Sequence, residues 1–281
     1  MHFFYLHALF DIFVCLIKYN TMTQTNKKPL ILVTNDDGVN AKGISALYEM
    51  VKDFGEIYMI APNRANSGKS NSITVEVPIR IKKIKDEENL KVFACKGTPV
   101  DCVKLALNKI VPRQPDFVVS GINHGANTSV SVLYSGTMGA TIEGCLAGIP
   151  SVGFSLDSFE SKADFSQCIK FGRKIFENVV KNGLPRSICL NVNFPVGNIK
   201  GVKVCRQADG MWKEEFDHRQ DPFGGDYYWL TGHFKNAEPH AEDTDESAIK
   251  DGYASVVPTQ VDMTAHHVLE NLKTWDYEVI D

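Results

Sequence analysis

The sequence predicts an α/β protein with a doubly wound, mostly parallel sheet flanked by helices, and with a β-rich arm towards the C-terminus. Between residues 30 and 180, apolar segments of strand length alternate with segments of helical periodicity. The segment 201–253 differs, because it is rich in aromatic, glycine and acidic residues and lacks helical periodicity. We therefore expect a core at 29–200, an arm and C-terminal segment at 201–281, and an N-terminal extension at 1–28.

The predicted elements of the core follow one another in a regular order. Strands are expected where short apolar runs occur, at Leu30–Val33, Glu56–Pro62, Pro115–Asn123 and Pro150–Leu156. Helices are expected where apolar residues recur at helical spacing, at Gly43–Phe54, Pro99–Ile110, Gly136–Gly148 and Phe165–Val180. The segment Ser72–Ile81 is predicted to be an extended edge strand, since Pro78 cannot donate to a ladder.

Composition excludes several classes of protein. The 281 residues are 43% hydrophobic and 23% charged, which disfavours disorder. The net charge of -4 gives no electrostatic case for a nucleic-acid polymer as a partner. The densest charged run, Ile81–Lys91, mixes both signs and is interpreted as a solvated surface. Seven cysteines without a CxxC pair indicate reduced thiols in a cytoplasmic protein and no zinc cluster.

The first 20 residues are apolar but do not fit a targeting segment. They lack a basic start and a small-residue cleavage site, so they are a poor signal peptide. The apolar stretch contains Asp11 and is short for a membrane span, which argues against a membrane-anchored protein. Our interpretation is that translation starts at Met22.

Two acids stand side by side where the first strand ends. Asp36 and Asp37 follow an apolar run almost at once, and adjacent carboxylates repel each other and are unfavourable to desolvate. A divalent cation would remove this repulsion, provided that the chain turns there, which Gly38 permits. Taken alone, this loop equally fits an alternative in which the acids cap the next helix or form an Asx turn.

Three polar loops follow three of the predicted strands and therefore meet at the same edge of the sheet. Their possible ligands are all oxygen donors, and they favour Mg²⁺, Mn²⁺ or Ca²⁺ over zinc: Asp36, Asp37, Asn63, Ser67, Asn71, Asn123 and Asn127. The one histidine in these loops, His124, could contact a substrate, but a lone loop histidine is more often incidental. No P-loop and no GxGxxG motif is present, because Asn63 stands where a P-loop requires glycine.

The predicted helix at Gly136 begins with small polar residues. Ser135, Gly136 and Thr137 lie where free N–H groups and the helix dipole could bind a phosphate group. The alternative is ordinary capping of the helix, which is the commoner use of serine and threonine.

The chain resembles the SurE family of stationary-phase survival proteins. Five segments carry the resemblance in the family's order, the last of them more weakly: "NDDGVNAKGI", "APNRANSGKSNSIT", "GTPVDCVKLAL" with "PDFVVSGINHGAN", "LYSGTMGATIEG", and "DPFGGDYYWLTG" with "TDESAIKDGYASVVP". The resemblance implies a Rossmann-like core with a C-terminal arm exchanged in homodimers or homotetramers. It also implies a metal-dependent nucleotidase that acts on nucleoside 5′- and 3′-monophosphates, and in some members on short polyphosphate.

The resemblance also implies roles for particular residues. The ligands of a Mg²⁺ or Mn²⁺ ion fall on Asp36, Asp37, Ser67 and Asn123, and the phosphate site falls on Asn127, Ser135, Gly136 and Thr137. Asp36 is the candidate catalytic acid nearest the reacting atom, whether as base, nucleophile or ligand alone. Phe223 stands where the family commonly has arginine, and Val257 where it commonly has threonine. The alternative function is a non-catalytic nucleotide-binding regulatory module on the same fold.

Overall fold

The structure, a computed structural model, describes residues 28–278. The interpretation of Met22 as the start, and the argument against a membrane anchor in the first 20 residues, lie outside the described residues. Within residues 28–278, no helix combines the length and apolar character that a membrane crossing requires.

The first part of the chain alternates strands and helices as predicted. In chain order the elements are β1 (Leu30–Thr34), α1 (Lys42–Val51), β2 (Glu56–Pro62), β3 (Arg80–Glu87), β4 (Leu90–Lys96), α2 (Pro99–Leu105), β5 (Phe117–His124), α3 (Gly136–Leu146), β6 (Ser151–Leu156), α4 (Ser166–Asn182) and β7 (Ile188–Phe194). A π-helical turn, Ala106–Ile110, extends α2, and a 3₁₀ turn, Ser129–Leu133, precedes α3.

The second part of the chain is mostly strand. It contains β8 (Val202–Val204), β9 (Gly210–Lys213), β10 (Phe216–Gln220), β11 (Asp226–Leu230), β12 (His233–Asn236), α5 (Asp245–Lys250), β13 (Ala254–Gln260) and α6 (Leu269–Leu272). β10 pairs with β11, and β9 with β12, in two separate antiparallel pairs. These four strands, residues 210–236, are called the arm below. β8 and β13 belong instead to the main sheet, so this sheet extends past residue 200.

The main sheet has nine strands in the order β3-β4-β2-β1-β5-β6-β7-β13-β8. The strands from β4 to β7 are parallel, while β3 and β13 run antiparallel to their neighbours β4 and β7. The prediction of a mostly parallel α/β sheet is therefore confirmed.

Alternation along the buried strands produces two cores. In β1, Ile31 and Val33 face α1 and α4, whereas Leu30 and Leu32 face the side of α2 and α3. Because every residue of this strand is buried, it is apolar on both faces, as expected for a central parallel strand. Each such buried side chain contributes roughly 1.5–3 kcal/mol.

The sheet edge differs from the prediction. The edge strand was expected at Ser72–Ile81, but β3 begins at Arg80, after Pro78, and runs through the charged segment that was interpreted as solvated surface. Its side chains are mostly exposed and charged, which protects an edge strand from pairing with other chains. β4, which was not predicted, pairs with it in a hairpin.

Candidate functional site

The candidate site lies at the point where the strand order of the sheet reverses. β1 is flanked by β2 on one side and by β5 on the other, so the chain adds strands first on one side of β1 and then on its other side. Such a switch point opens a crevice at the carboxyl ends of parallel strands. Asp36 and Asp37 follow β1, and Asn123 and His124 end β5, so the two segments meet at this crevice.

The chain bends immediately after β1. The side chain of Asn35 closes the bend, because its Oδ1 accepts from the Gly38 N–H and its Nδ2 donates to the Gly38 carbonyl, each at 3.1 Å. Gly38 has a φ of +104°, which favours glycine. The predicted turn is therefore present, and the Asx-type hydrogen bonds are made by Asn35, whereas α1 is preceded by Ala41 with no side-chain cap.

Asp36 is buried, with 4% of its surface exposed. The Thr137 hydroxyl donates to Asp36 Oδ1 at 2.6 Å, across 101 residues of sequence. Burial raises the pKa of this carboxyl to about 6, because desolvation disfavours the charged form more than the Thr137 hydrogen bond stabilises it. The neighbouring Asp37 charge raises the pKa further.

Asp37 is less buried than Asp36, and its Oδ2 accepts from the backbone N–H of His124 at 3.3 Å. Desolvation also raises the pKa of Asp37, although this hydrogen bond opposes the shift. Among residues 28–278, no lysine or arginine forms an ion pair with either carboxylate. The His124 ring packs edge-on against Phe165 with centroids 5.2 Å apart, so this residue approaches Asp37 through its backbone.

The loop after β2 is tied to the same place. The Asn66 N–H donates to the carbonyl of Asp36 at 2.7 Å, which brings the neighbouring Ser67 to the site, where its side chain is exposed. Further along, the Thr98 hydroxyl donates to the Ser72 carbonyl at 2.8 Å, and Asp101 completes a capping box with Thr98. The segment around Thr98 therefore supports the loop after β2.

The asparagine near the end of β5 and the asparagine after it have different surroundings. Asn123 Nδ2 donates to the Gly125 carbonyl at 2.8 Å, within its own loop. Asn127 is buried, and its Nδ2 donates to the Ser155 hydroxyl at 2.8 Å. The Asn127 N–H also donates to Asn193 Oδ1 at 2.7 Å. Its side chain thus belongs to a buried polar network, and the prediction that it binds phosphate stays a prediction.

The N-terminus of α3 faces Asp36. Ser135 caps this helix, because its hydroxyl accepts from the Met138 N–H at 3.1 Å, so the capping alternative is correct for Ser135. Gly136 lies so close to Asp36 that an added Cβ would lie 2.9 Å from Oδ2. Thr137, which the resemblance assigned to the phosphate site, donates its hydroxyl to Asp36. Phosphate binding by these three residues stays a prediction.

Sequence reasoning missed several residues that position the site. Asn35 was visible within "TNDDG" but was not singled out, although it closes the bend. Asn191 and Asn193 alternate with apolar residues in β7, and Asn191 Nδ2 donates to the Asn127 carbonyl at 2.8 Å. Asparagines at alternate positions of a buried strand were the signal that could have predicted a polar network beside the site.

The fold and the site together define a class of protein. The sheet has its switch point beside two desolvated carboxylates, and the groups around them are oxygen donors and a helix N-terminus. Within the described part of the chain, no cluster of three or more histidine, cysteine or acidic side chains is arranged to hold a metal ion. The protein therefore belongs to the class of α/β proteins with a site at the switch point of the sheet, here lined by two carboxylates and by hydroxyl and amide oxygens.

Comparisons with known proteins identify the family. The family model described as survival protein SurE matches residues 31–214. A protein named 5′-nucleotidase SurE from Phocaeicola vulgatus is 53% identical over 254 residues, covering 90% of this chain and 99% of that protein. Its namesake from Flavobacterium johnsoniae is 51% identical over 254 residues, covering 89% and 98%.

Among solved structures, the crystal structure of the SurE protein from Aquifex aeolicus matches with a TM-score of 0.76 at 36% identity, covering 87% of this chain and 98% of that chain. The chain therefore belongs to the SurE family, and the resemblance inferred from its motifs is confirmed.

Proposed function

We propose that this member of the SurE family, an enzyme of the 5′-nucleotidase class, uses a divalent cation to release phosphate from nucleoside 5′- and 3′-monophosphates. The observation that carries the proposal is the pair of desolvated carboxylates, Asp36 and Asp37, without a basic partner at the sheet's switch point. The enzyme class is supported by curated relatives about 50% identical over most of the chain, each named 5′-nucleotidase SurE. Short polyphosphate is a further substrate that we propose.

The surroundings of the two acids fit a Mg²⁺ or Mn²⁺ ion. Burial raises the pKa of both carboxyls, so their charges need a compensating positive charge that the described residues do not supply as an ion pair. We assign the ligands to Asp36, Asp37, Ser67 and Asn123, which supply only oxygen atoms. When bound, such a cation polarises a phosphoryl oxygen and lowers the pKa of a bound water molecule.

The side chains around the acids orient them for this role. The Thr137 hydroxyl donates to Asp36 Oδ1, so Oδ2 is the oxygen with which Asp36 would hold a cation. Asn123 engages its Nδ2 with Gly125, which leaves Oδ1 as its donor oxygen. Asp36 is the proposed catalytic residue, because it is the more deeply buried acid and is held directly at the N-terminus of α3.

The N-terminus of α3 supports phosphate binding. Gly136 and Thr137 are its first residues, and the positive end of the helix dipole favours negative charge at this place. We propose that Asn127, Ser135, Gly136 and Thr137 border the phosphate. The capping bond of Ser135 and the hydroxyl bond of Thr137 fix the direction of the helix relative to Asp36.

We also propose that the chain works as a homodimer or homotetramer joined through its arm, and that it works in the cytoplasm. The arm exposes large apolar side chains that a single copy leaves in water, among them Phe216, Phe223, Tyr228, Trp229 and Leu230. Sedimentation of the purified chain would test the oligomeric state.

Phosphate release from a panel of nucleotides tests the function. We expect hydrolysis of nucleoside monophosphates with Mg²⁺ or Mn²⁺, loss of activity in EDTA, and recovery when the cation is restored. Asp37→Asn should lower kcat/KM on the order of 10³-fold, whereas the exposed Asp53→Asn, whose residue pairs only with Arg173 on the surface, should not.

Two outcomes would overturn the proposal. Hydrolysis that persists unchanged in EDTA would exclude the proposed role of the cation. Nucleotide binding by calorimetry without release of phosphate from any substrate would favour the non-catalytic regulatory module.

A further inference from the structure

An exposed aromatic ring lies beside the candidate site. Phe159, in the loop after β6, is 85% exposed, and the edge of its ring rests on Gly125. A Cβ built on Gly125 would lie 2.4 Å from Phe159 Cε1, and this glycine has a φ of +97°. Glycine is therefore required here on two grounds, and it lets the ring lie directly against the backbone that follows β5.

The loop that carries Phe159 is fixed by backbone hydrogen bonds. The Gly125 N–H donates to the carbonyls of Leu156 and Ser158, at 2.8 and 3.0 Å. Two residues further along the chain, Lys42 Nζ donates to the Ser161 carbonyl at 3.0 Å, which ties the loop to α1. Because its backbone is held on both sides, the exposed ring is presented in a defined position, and ordering it on binding requires little further loss of entropy.

The ring lies at a suitable distance from the carboxylates. Gly125 follows His124, whose N–H donates to Asp37 Oδ2 at 3.3 Å. The Gly125 carbonyl accepts from Asn123 Nδ2. With one residue of about 3.8 Å and a van der Waals contact added, the near edge of the ring lies within about 10 Å of the Asp37 carboxylate. This separation is of the size of a nucleoside monophosphate measured from its phosphate to its base.

We propose that Phe159 is the stacking platform for the nucleobase, and therefore a specificity-determining residue. The inference rests on the proposed function, since it places the phosphate at Asp36 and Asp37. Stacking on an aromatic face accepts every base, because every base has a π-face. The ring therefore selects substrates that carry a base over phosphate esters that carry none, and it favours the larger purines over pyrimidines.

Removing the ring tests the inference. We expect Phe159→Ala to raise KM and lower kcat/KM for AMP by roughly 5- to 100-fold. Phe159→Tyr, which keeps an aromatic ring, should have a KM and a kcat/KM close to those of the wild type. Ribose 5-phosphate, which has the same phosphate ester without a base, serves as a competing inhibitor of AMP hydrolysis. Its inhibition constant should be the same for the wild type and for Phe159→Ala.

Tyr134→Ala is the matched comparison, because Tyr134 is another exposed ring beside the site, directly before Ser135. We expect it to change KM for AMP less than Phe159→Ala does. Thermal unfolding and sedimentation of each variant accompany the kinetics, and at an exposed position neither should change.

Several results would overturn the inference alone. They are an unchanged KM for AMP in Phe159→Ala, an equal loss of affinity for ribose 5-phosphate, a larger effect from Tyr134→Ala, or dissociation of an oligomer as the only effect. Failure of the proposed function is recognised separately, because the wild-type enzyme would then release no phosphate from AMP.

Discussion

The core of the molecule and its arm use the same kinds of side chain in opposite ways. Phe154 and Phe194 stack in the core with ring centroids 6.1 Å apart, and both are fully buried. In the arm, Phe223 is 97% exposed, and every residue of β11 is exposed although its sequence is DYYWL. Aromatic content alone therefore does not distinguish a side chain that stabilises the fold from one that is left for another surface.

The difference separates the part of the chain that covers its own apolar side chains from the part that leaves them exposed. The main sheet covers its apolar residues on both faces with its own helices, and its site is built from loops that bond to one another. The arm pairs its strands only two by two, and such pairs are at best marginally stable in water. Stability experiments on one copy should therefore respond to the core, and assembly experiments to the arm.

The largest expected effect is on the core. Phe154→Ala should reduce the free energy of unfolding by about 3–5 kcal/mol, because it removes a fully buried aromatic side chain and leaves a cavity. Denaturant unfolding followed by circular dichroism measures this loss. A loss below about 1 kcal/mol would mean that the core is less tightly packed than the structure indicates.

A second effect concerns Asp36 and depends on pH. In EDTA, the folded protein holds this carboxyl at a pKa of about 6 rather than 3.8. The contribution of Asp36 to the free energy of unfolding is therefore fully present below pH 4 and is lost as the pH rises through 6. Asp36→Asn removes this dependence and should be more stable than the wild type at pH 8 by up to about 3 kcal/mol. Denaturant unfolding of the wild type and of Asp36→Asn at pH 4 and pH 8 tests this. A difference in free energy of unfolding between the two proteins that is the same at both pH values would contradict it.

A third effect concerns the hydrogen bond that holds Asp36. Thr137→Val keeps the shape of the side chain but removes the hydroxyl that donates to Asp36 Oδ1, a bond to a charged group worth roughly 1.5–3 kcal/mol. We expect kcat/KM to fall by about ten- to a hundredfold. The matched control is Thr141→Val, because the Thr141 hydroxyl donates only to the Thr137 carbonyl within the same helix. Equal kinetics in the two variants would argue against the role of Thr137.

The smallest expected effect is on the arm. Phe223→Ala should change the free energy of unfolding of one copy by no more than about 0.5 kcal/mol, because its side chain is exposed in the structure. It should weaken assembly instead, which sedimentation at several concentrations would measure. A loss as large as that of Phe154→Ala would remove the distinction between core and arm.

The features that could be predicted from the sequence are those encoded locally. The apolar run of β1 and the acids after it lie within a few residues of one another, so the strand, the bend and the carboxylates were all predicted. The meeting of the three polar loops at one edge of the sheet followed from the rule that parallel strands end on the same side. The assignment of individual site residues to cation and phosphate stays a prediction.

The features that could not be predicted depend on contacts between distant segments. The bond between Thr137 and Asp36 joins residues 101 positions apart, so no local pattern could indicate it. β4 was missed because it begins within a charged run, where strand signals are weak. Asn193 was missed because its partner Asn127 is 66 positions away, although its place in a buried strand was a visible signal.

Direct binding of Mn²⁺ tests the central claim, that Asp36 and Asp37 hold a divalent cation. Isothermal titration of the metal-free chain should give about one site per chain, since one pair of acids forms the site. Asp37→Asn should abolish this binding, while the surface variant Asp53→Asn should bind Mn²⁺ as the wild type does. Unchanged Mn²⁺ affinity in Asp37→Asn, with the protein still folded, would contradict the account.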